Sequence, residues 1–377
     1  MRILLIGPDH DAGSLPPYLA VLADGLRSQG ATVDRLGAGT MPVDHRGAFW
    51  PAERIVAAAD ALLASVDLCA YDLLSVHFGN NEIEQLLPVR WAGRRRPPAV
   101  HHVHSVGWTL FSTHVVDRSL WEAVANGVYQ MDGLIYFGSY ARQVLATTPA
   151  ARIPSEIAFF PTTIPDDATA AEPSLQPPAL RELSVQDGRV RATLYGFASP
   201  WKDLPRLLAA FERMRVPLRF ALLGPSWDSP RHAGVDLAAA AHPRRHRWGP
   251  VEVMVAPDYL DAQQRLALVE ATDLAVLPYK EHQGFQGSGA ITDYLARGVP
   301  VVATDVANMR ELVGDAGVIV SSGDPAELAA VLDRVAGDAD FLAGLQAAAR
   351  RRAALFSPAT HAMTSLAFFQ RVVQGKH

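Results

Sequence analysis

The stretch "DLAVLPYKEHQGFQGSGAITDYLARGVPVV", residues 273–302, decides how the second half of the chain reads. "DLAVLP" (273–278) is a short apolar run closed by proline, which predicts a buried strand. Glycines and a serine then crowd into "GFQGSG" (284–289), a helical pattern containing Asp293 follows, and "VPVV" (299–302) reads as another buried strand. Strand, small-residue corner, helix and strand together make the repeating unit of a parallel sheet covered on both faces.

The same alternation extends both ways. "RVRATLYGF" (189–197), "LRFALLG" (218–224) and "GVIV" (317–320) read as strands. Helical patterns occupy 204–214, 259–271 and 324–337, the last opening on an acid and a proline. Earlier, "RILLIG" (2–7), "YDLLSVHF" (71–78), "PAVHHVH" (98–104) and "GLIYF" (133–137) read as strands, with helical patterns at 16–30, 53–66 and 118–131. Between the halves, residues 161–189 are rich in proline and acid and poor in large apolar side chains, as an interdomain connection would be. The expected organisation is therefore α/β, with a first domain over 1–165, a linker over 166–188, a second domain over 189–356 and a final helix over 357–377. Ligands of such proteins sit beyond the carboxyl ends of parallel strands and between domains.

The bulk numbers agree. A chain of 377 residues, 49% apolar and 19% charged, is too long for one ordinary core and comfortable for two. A net charge of −5 argues against a general nucleic-acid binder but leaves room for a local anion site. The single cysteine, Cys69, can form neither an intrachain disulfide nor a structural zinc site. The short apolar N-terminus does not read as a signal peptide, and no window approaches the roughly 18 apolar residues of a membrane span. A soluble, cytoplasmic protein is expected. Nothing in the sequence specifies an oligomeric state.

Several strand ends carry residues able to do chemistry. Gly287, Ser288 and Gly289 stand at a helix start, where unpaired amides and a partial positive charge suit a phosphate. Asp293, one turn on, could accept the hydroxyls of a ribose. The other reading is a tight turn with Asp293 solvated, and spacing alone does not separate the two. Lys202 in "GFASPWKDL" (196–204) is either a point charge for phosphate or a surface lysine. In "VHHVHSVGW" (100–108), His102 and His104 share a strand face and His101 opposes them. A metal there would need a third ligand that the sequence does not supply, so His104 reads as a polar contact to substrate. His77, Asn80 and Asn81 lie at another strand end, either binding an acceptor or filling structural roles. Gly13 and Ser14 form an anion-friendly corner after the first strand, and neither a dinucleotide fingerprint nor a P-loop occurs. "GDADF" (337–341) spells a D-x-D but reads as helix capping. "RWAGRRRPP" (90–98) reads as a solvated basic loop, with peripheral membrane contact as the alternative.

Taken together, these stretches resemble a GT-B glycosyltransferase, most similar to the large family four of retaining, nucleotide-sugar-dependent enzymes. "LYGFASPWKDLPRLLAAF" resembles that family's "GR…KG…LL.AF" block, and "IAFFPTTIP" stands where it has "IPNG(I/V)D". "ITDYLARGVPVVATDVANMRELV" resembles its "EAMA.G.PVVA…G..E(L/I)V" block, the most specific match. The resemblance implies two facing Rossmann-like domains, with the donor held mainly by the second and a C-terminal helix crossing back to the first. It implies that Lys202 contacts the donor diphosphate and that Gly287, Ser288 and Gly289 offer it amides. It further implies that Asp293 holds the ribose, that Gly13 and Ser14 lie near the phosphates, and that His104 lies at the junction of sugar and acceptor. His77, Asn80 and Trp108 are candidates for the acceptor, with Trp50, Trp91 and Trp121 as further aromatic surface or core. The resemblance implies no cofactor and no metal, the nucleotide sugar being a co-substrate. Two departures stand out: Phe197 replaces the usual motif arginine, and Phe285 replaces the first glutamate of the E-x(7)-E pair. The implied activity is transfer of a sugar to an acceptor hydroxyl. A nucleotide-sugar epimerase and a non-catalytic partner of the same fold are the alternatives.

Overall fold

The computed structural model describes residues 1–9, 14–39, 52–79, 83–106, 118–225, 231–232, 235–236, 246–257, 259–282, 285–321 and 323–375. The chain divides into two compact units. The first comprises Met1–Phe160, Gln283–Gly287 and Pro358–His377, and the second Pro161–His282 and Ser288–Ser357.

In the first unit, β1 (Arg2–Ile6), β2 (Thr32–Leu36), β3 (Leu73–Phe78), β4 (Ala99–Val103), β5 (Gly133–Tyr136) and β6 (Ser155–Ile157) form one sheet in the order β2-β1-β3-β4-β5-β6. Every pairing is parallel. Alternate residues of each strand enter opposite cores, as the pleat requires. Leu4, Ile6, Leu74 and Val76 pack with Leu63, Leu86 and Trp91 on one face. Ile3, Leu5, Leu73 and Val100 pack with Tyr18, Leu22 and Phe369 on the other. Trp91 is thus core and offers no platform to an acceptor.

The helix Pro358–Val373 completes the second of these cores, with Phe369 fully buried. It lies close to the helix Leu15–Ser28, where Gly25 makes the approach feasible: a Cβ there would stand 2.7 Å from Ala362 Cβ.

The second unit contains β7 (Val190–Tyr195), β8 (Leu218–Leu223), a two-residue pair β9 (Arg231–His232) and β10 (Val235–Asp236), β11 (His246–Trp248), β12 (Val251–Ala256), β13 (Leu274–Leu277), β14 (Val301–Thr304) and β15 (Gly317–Val320). Its main sheet runs β11-β12-β8-β7-β13-β14-β15, parallel except for the edge strand β11.

Residues 166–188 are not a loose linker, and this corrects the expectation from composition. The helix Pro178–Leu183 buries Leu180 and Leu183 completely. Arg219 of β8 donates to Glu182 O at 2.7 Å, and Ala171 N donates to Gln263 O at 3.0 Å. The prolines shape a packed excursion that belongs to the second unit. Among the described residues no helix is long and apolar enough to cross a membrane.

Phe369→Ala should lower the stability of the first unit by about 3–5 kcal/mol, because the cavity lies between a sheet and a helix that cannot collapse onto it. Chemical denaturation followed by tryptophan fluorescence measures this.

Candidate functional site

Each main sheet has one point where successive strands turn from building outward on one side to building outward on the other. In the second unit it lies between β7 and β13, since β8 and β12 extend one way and β14 and β15 the other. Loops leaving the carboxyl ends of two such neighbours diverge and open a crevice.

Lys202 sits in the loop after β7, in a single turn over Pro200–Lys202. It is no surface lysine. Its side chain is 5% exposed, and Nζ donates to Tyr195 O at 2.6 Å. No carboxylate among the described residues pairs with it, and burial pulls its pKa down from 10.5 to about 7. Gly196 makes room for it: the backbone there has φ of 92°, and a Cβ would stand 3.2 Å from the ammonium nitrogen. Asp203, the next residue after the lysine, holds a left-handed conformation with φ of 47°.

The loop after β13 reaches the same place. Lys280 N donates to Trp201 O at 2.9 Å, and the Trp201 and His282 rings lie 4.5 Å apart. The loop ends at the helix Gly289–Ala296. Ser288 stands at its start in extended conformation and does not cap it, bonding Tyr279 Oη at 3.0 Å instead. The leading amides of this helix remain available to an anion. Gly287 groups with the first unit, Ser288 and Gly289 with the second.

Asp293 departs from its expected role. It is 1% exposed. Its Oδ1 accepts from Thr162 Oγ1 at 2.6 Å and from Thr163 N at 2.9 Å. Its Oδ2 accepts from Arg265 Nη1 at 3.0 Å and from the Tyr195 hydroxyl. A carboxylate offers about four lone-pair positions, and four donors occupy them. Asp293 is an internal anchor, neither a ribose hook nor a solvated surface acid. Arg265 also donates to Thr163 Oγ1 at 2.6 Å, closing the cluster. Nothing in the spacing of "QQRLALVE" marks Arg265 as its counter-ion; the fold alone brings them together.

In the first unit the corresponding point lies between β1 and β3. The carboxyl ends of β3 and β4 bring His77, His102 and His104 together around Tyr18. Tyr18 Oη lies 2.8 Å from His102 Nδ1 and 2.8 Å from His361 Nε2. The Tyr18 ring stands edge-on to His104 at 4.9 Å. His101 points to the opposite face, stacked on Phe78 at 4.1 Å. His77 is fully buried, so it reaches no acceptor itself; it faces His104, with 3.3 Å between Nδ1 and Nε2. Burial holds His77, His102 and His104 well below the usual histidine range, and His101 and His361 at about 4. These imidazoles are neutral at physiological pH. Gln286 supports the same strand end, its Nε2 donating to Val103 O.

Gly13, Asn80, Asn81, Trp50 and Trp108 lie outside the described residues, as does the side chain of Trp121. Ser14 stands at the start of the helix Leu15–Ser28 without capping it. Asp338 of the D-x-D stretch caps the helix Ala339–Arg352, accepting from Phe341 N at 2.9 Å. Phe197 packs against Tyr259 with ring centres 6.0 Å apart. No cluster of three or more histidine, cysteine, aspartate or glutamate side chains able to hold a metal ion occurs among the described residues.

Residues 189–338 match the family described as Glycosyl transferases group 1. The sucrose-phosphate synthase of Thermosynechococcus elongatus superposes with a TM-score of 0.71 at 18% identity, over 99% of each chain. Residues 189–338 thus carry a group 1 glycosyltransferase domain, and the chain as a whole has the GT-B fold. The chain also superposes on Anabaena HepE in complex with UDP-glucose, with a TM-score of 0.65 at 16% identity, over 100% of this chain and 99% of the other. For OtsA the TM-score is 0.66 at 13% identity, over 98% and 99%. No curated protein sequence matches. At these identities the likenesses establish the fold of the chain.

Asp293→Ala should cost about 3–5 kcal/mol, since it strands the Arg265 guanidinium and three further donors in the interior. Urea denaturation reads the loss. Unchanged stability together with lost nucleotide binding would instead make Asp293 a ligand residue.

Proposed function

We propose that this protein is a glycosyltransferase that moves a sugar from a nucleotide diphosphate sugar to an acceptor hydroxyl, with retention at the anomeric carbon. The observation that carries this is Lys202, buried at the strand switch point with no carboxylate partner among the described residues. A buried ammonium without a counter-ion is costly unless an anion arrives, and a diphosphate is the anion the reaction supplies.

As the sugar–phosphate bond breaks, negative charge grows on the leaving diphosphate. Lys202 and the uncapped amides at Ser288 and Gly289 would stabilise that charge more in the transition state than in the ground state. The departing phosphate oxygen can take the acceptor's proton, so the scheme requires no separate base and no metal. With Phe197 in place of the motif arginine, Lys202 carries the larger share. On the first unit, His104 is the half-buried polar group best suited to meet substrate. HepE is described in complexes with UDP and with UDP-glucose, which supports a nucleotide-sugar donor here. The acceptor is a small molecule or saccharide, and the cytoplasm is the proposed compartment.

Phe197 and Phe285 favour one second reading, a nucleotide-binding partner that has lost turnover. Lys202→Ala should lower transfer by about tenfold or more, measured by mass spectrometry with a panel of UDP-, GDP- and dTDP-sugars. Near-normal turnover in that variant would refute the role of the lysine. Nucleotide binding by the parent chain without transfer to any acceptor would favour the non-catalytic partner.

A further inference from the structure

His104 does not stand alone. Ser75 Oγ lies 2.9 Å from His77 Nε2, and His77 Nδ1 lies 3.3 Å from His104 Nε2. Ser75 and His77 share one face of β3 and are fully buried, whereas His104 is half-buried just past the end of β4. The three groups form a chain from the interior of the sheet to its carboxyl edge.

The direction of that chain follows from counting hydrogens. A neutral imidazole has one N–H and one lone pair. If His77 carried its proton on Nε2, it would donate to Ser75, and the Ser75 hydroxyl hydrogen would find no acceptor among the described residues. A buried donor left unspent is the costlier arrangement. With the proton on Nδ1, Ser75 donates to His77 Nε2, His77 donates to His104 Nε2, and both buried donors are used. The His104 proton then sits on Nδ1.

We propose that Ser75 and His77 are positioning residues that fix His104 in the Nδ1–H tautomer, so that it meets substrate as a neutral hydrogen-bond donor. Its partner is then an oxygen acceptor, a sugar hydroxyl or phosphate oxygen, and the nitrogen it presents cannot serve as a base.

The surroundings hold the same geometry. The His104 ring is boxed by Tyr18 and Phe137, with ring centres at 4.9 and 4.8 Å. The adjacent chain is set by the same counting. His361 Nδ1 faces Phe159 O at 2.9 Å and so carries its proton there. Its Nε2 accepts from Tyr18, and Tyr18 accepts from His102 Nδ1. Two directed chains thus flank one another, and neither contains an ionised group.

The inference rests on the proposed contact between His104 and substrate, and the test separates the two. Long-range proton–nitrogen NMR on the full chain with 15N-labelled histidine reads each tautomer without any substrate. Wild type should show the His104 proton on Nδ1. His77→Asn, whose amide places an N–H where Nδ1 was, should keep that signal and keep kcat within about threefold. His77→Leu should move the proton towards Nε2 and lower kcat about tenfold with little change in KM. Ser75→Ala, a milder change, should move the signal in the same direction. An Nε2–H signal on His104 in wild type, or a tautomer unmoved by His77→Leu and Ser75→Ala, would overturn the relay. A fully active His104→Ala variant would overturn the substrate contact and with it the positioning role, while the spectra still decide the tautomer.

Discussion

A lysine side chain folded out of water, with a single carbonyl as its partner among the described residues, is the constraint on which the second unit turns. Lys202 occupies that place because β7 ends on a glycine backbone that only a residue without Cβ adopts at ease, followed by a strained left-handed step at Asp203. Burial takes its pKa to about 7, so proton uptake and anion binding are coupled, each favouring the other. A site of this kind is weakly charged when empty and cationic when filled. Set beside an uncapped helix start, it concentrates positive potential where a leaving group would need it.

The contrast with Asp293 is instructive. Both residues stand at positions that the family resemblance marks for ligand, and both are buried. The lysine has spare hydrogens and no counter-charge among the described residues; the aspartate has four donors and no spare lone pair. A position that the resemblance marks for the ligand is here turned inward to hold residues 162–163 against the helix Ala262–Glu270. The histidines of the first unit make the matching point: His77 and His102 at strand positions are absorbed in the interior, and only His104 reaches towards the edge.

Much of this was legible in the sequence, because buried parallel strands announce themselves. "LLSVHF", "LRFALL", "LAVL" and "GVIV" are nearly unbroken apolar runs, and each is a strand. The edge strand β2, "TVDRL", escaped notice because its outward side carries charge, and β6 is only three residues long. Residues 166–188 read as linker because proline content outweighs a few leucines in any composition count, yet those leucines are buried. Lys202 and the glycine corner were visible as types at strand ends. The Arg265–Asp293 pair and the Ser75–His77–His104 chain were not, since they join residues far apart in sequence through the fold alone.

The central claim is that Lys202, with its pKa drawn down to about 7, is largely neutral above that pH when the site is empty and becomes an ammonium against the diphosphate. Calorimetric titration with a nucleoside diphosphate at about pH 8.5, in two buffers of different ionisation enthalpy, counts the protons taken up on binding. Uptake approaching one proton, falling away below about pH 6.5 and lost in Lys202→Met, is the predicted result. Binding with no proton uptake at the alkaline pH, or the same uptake in Lys202→Met, would contradict it.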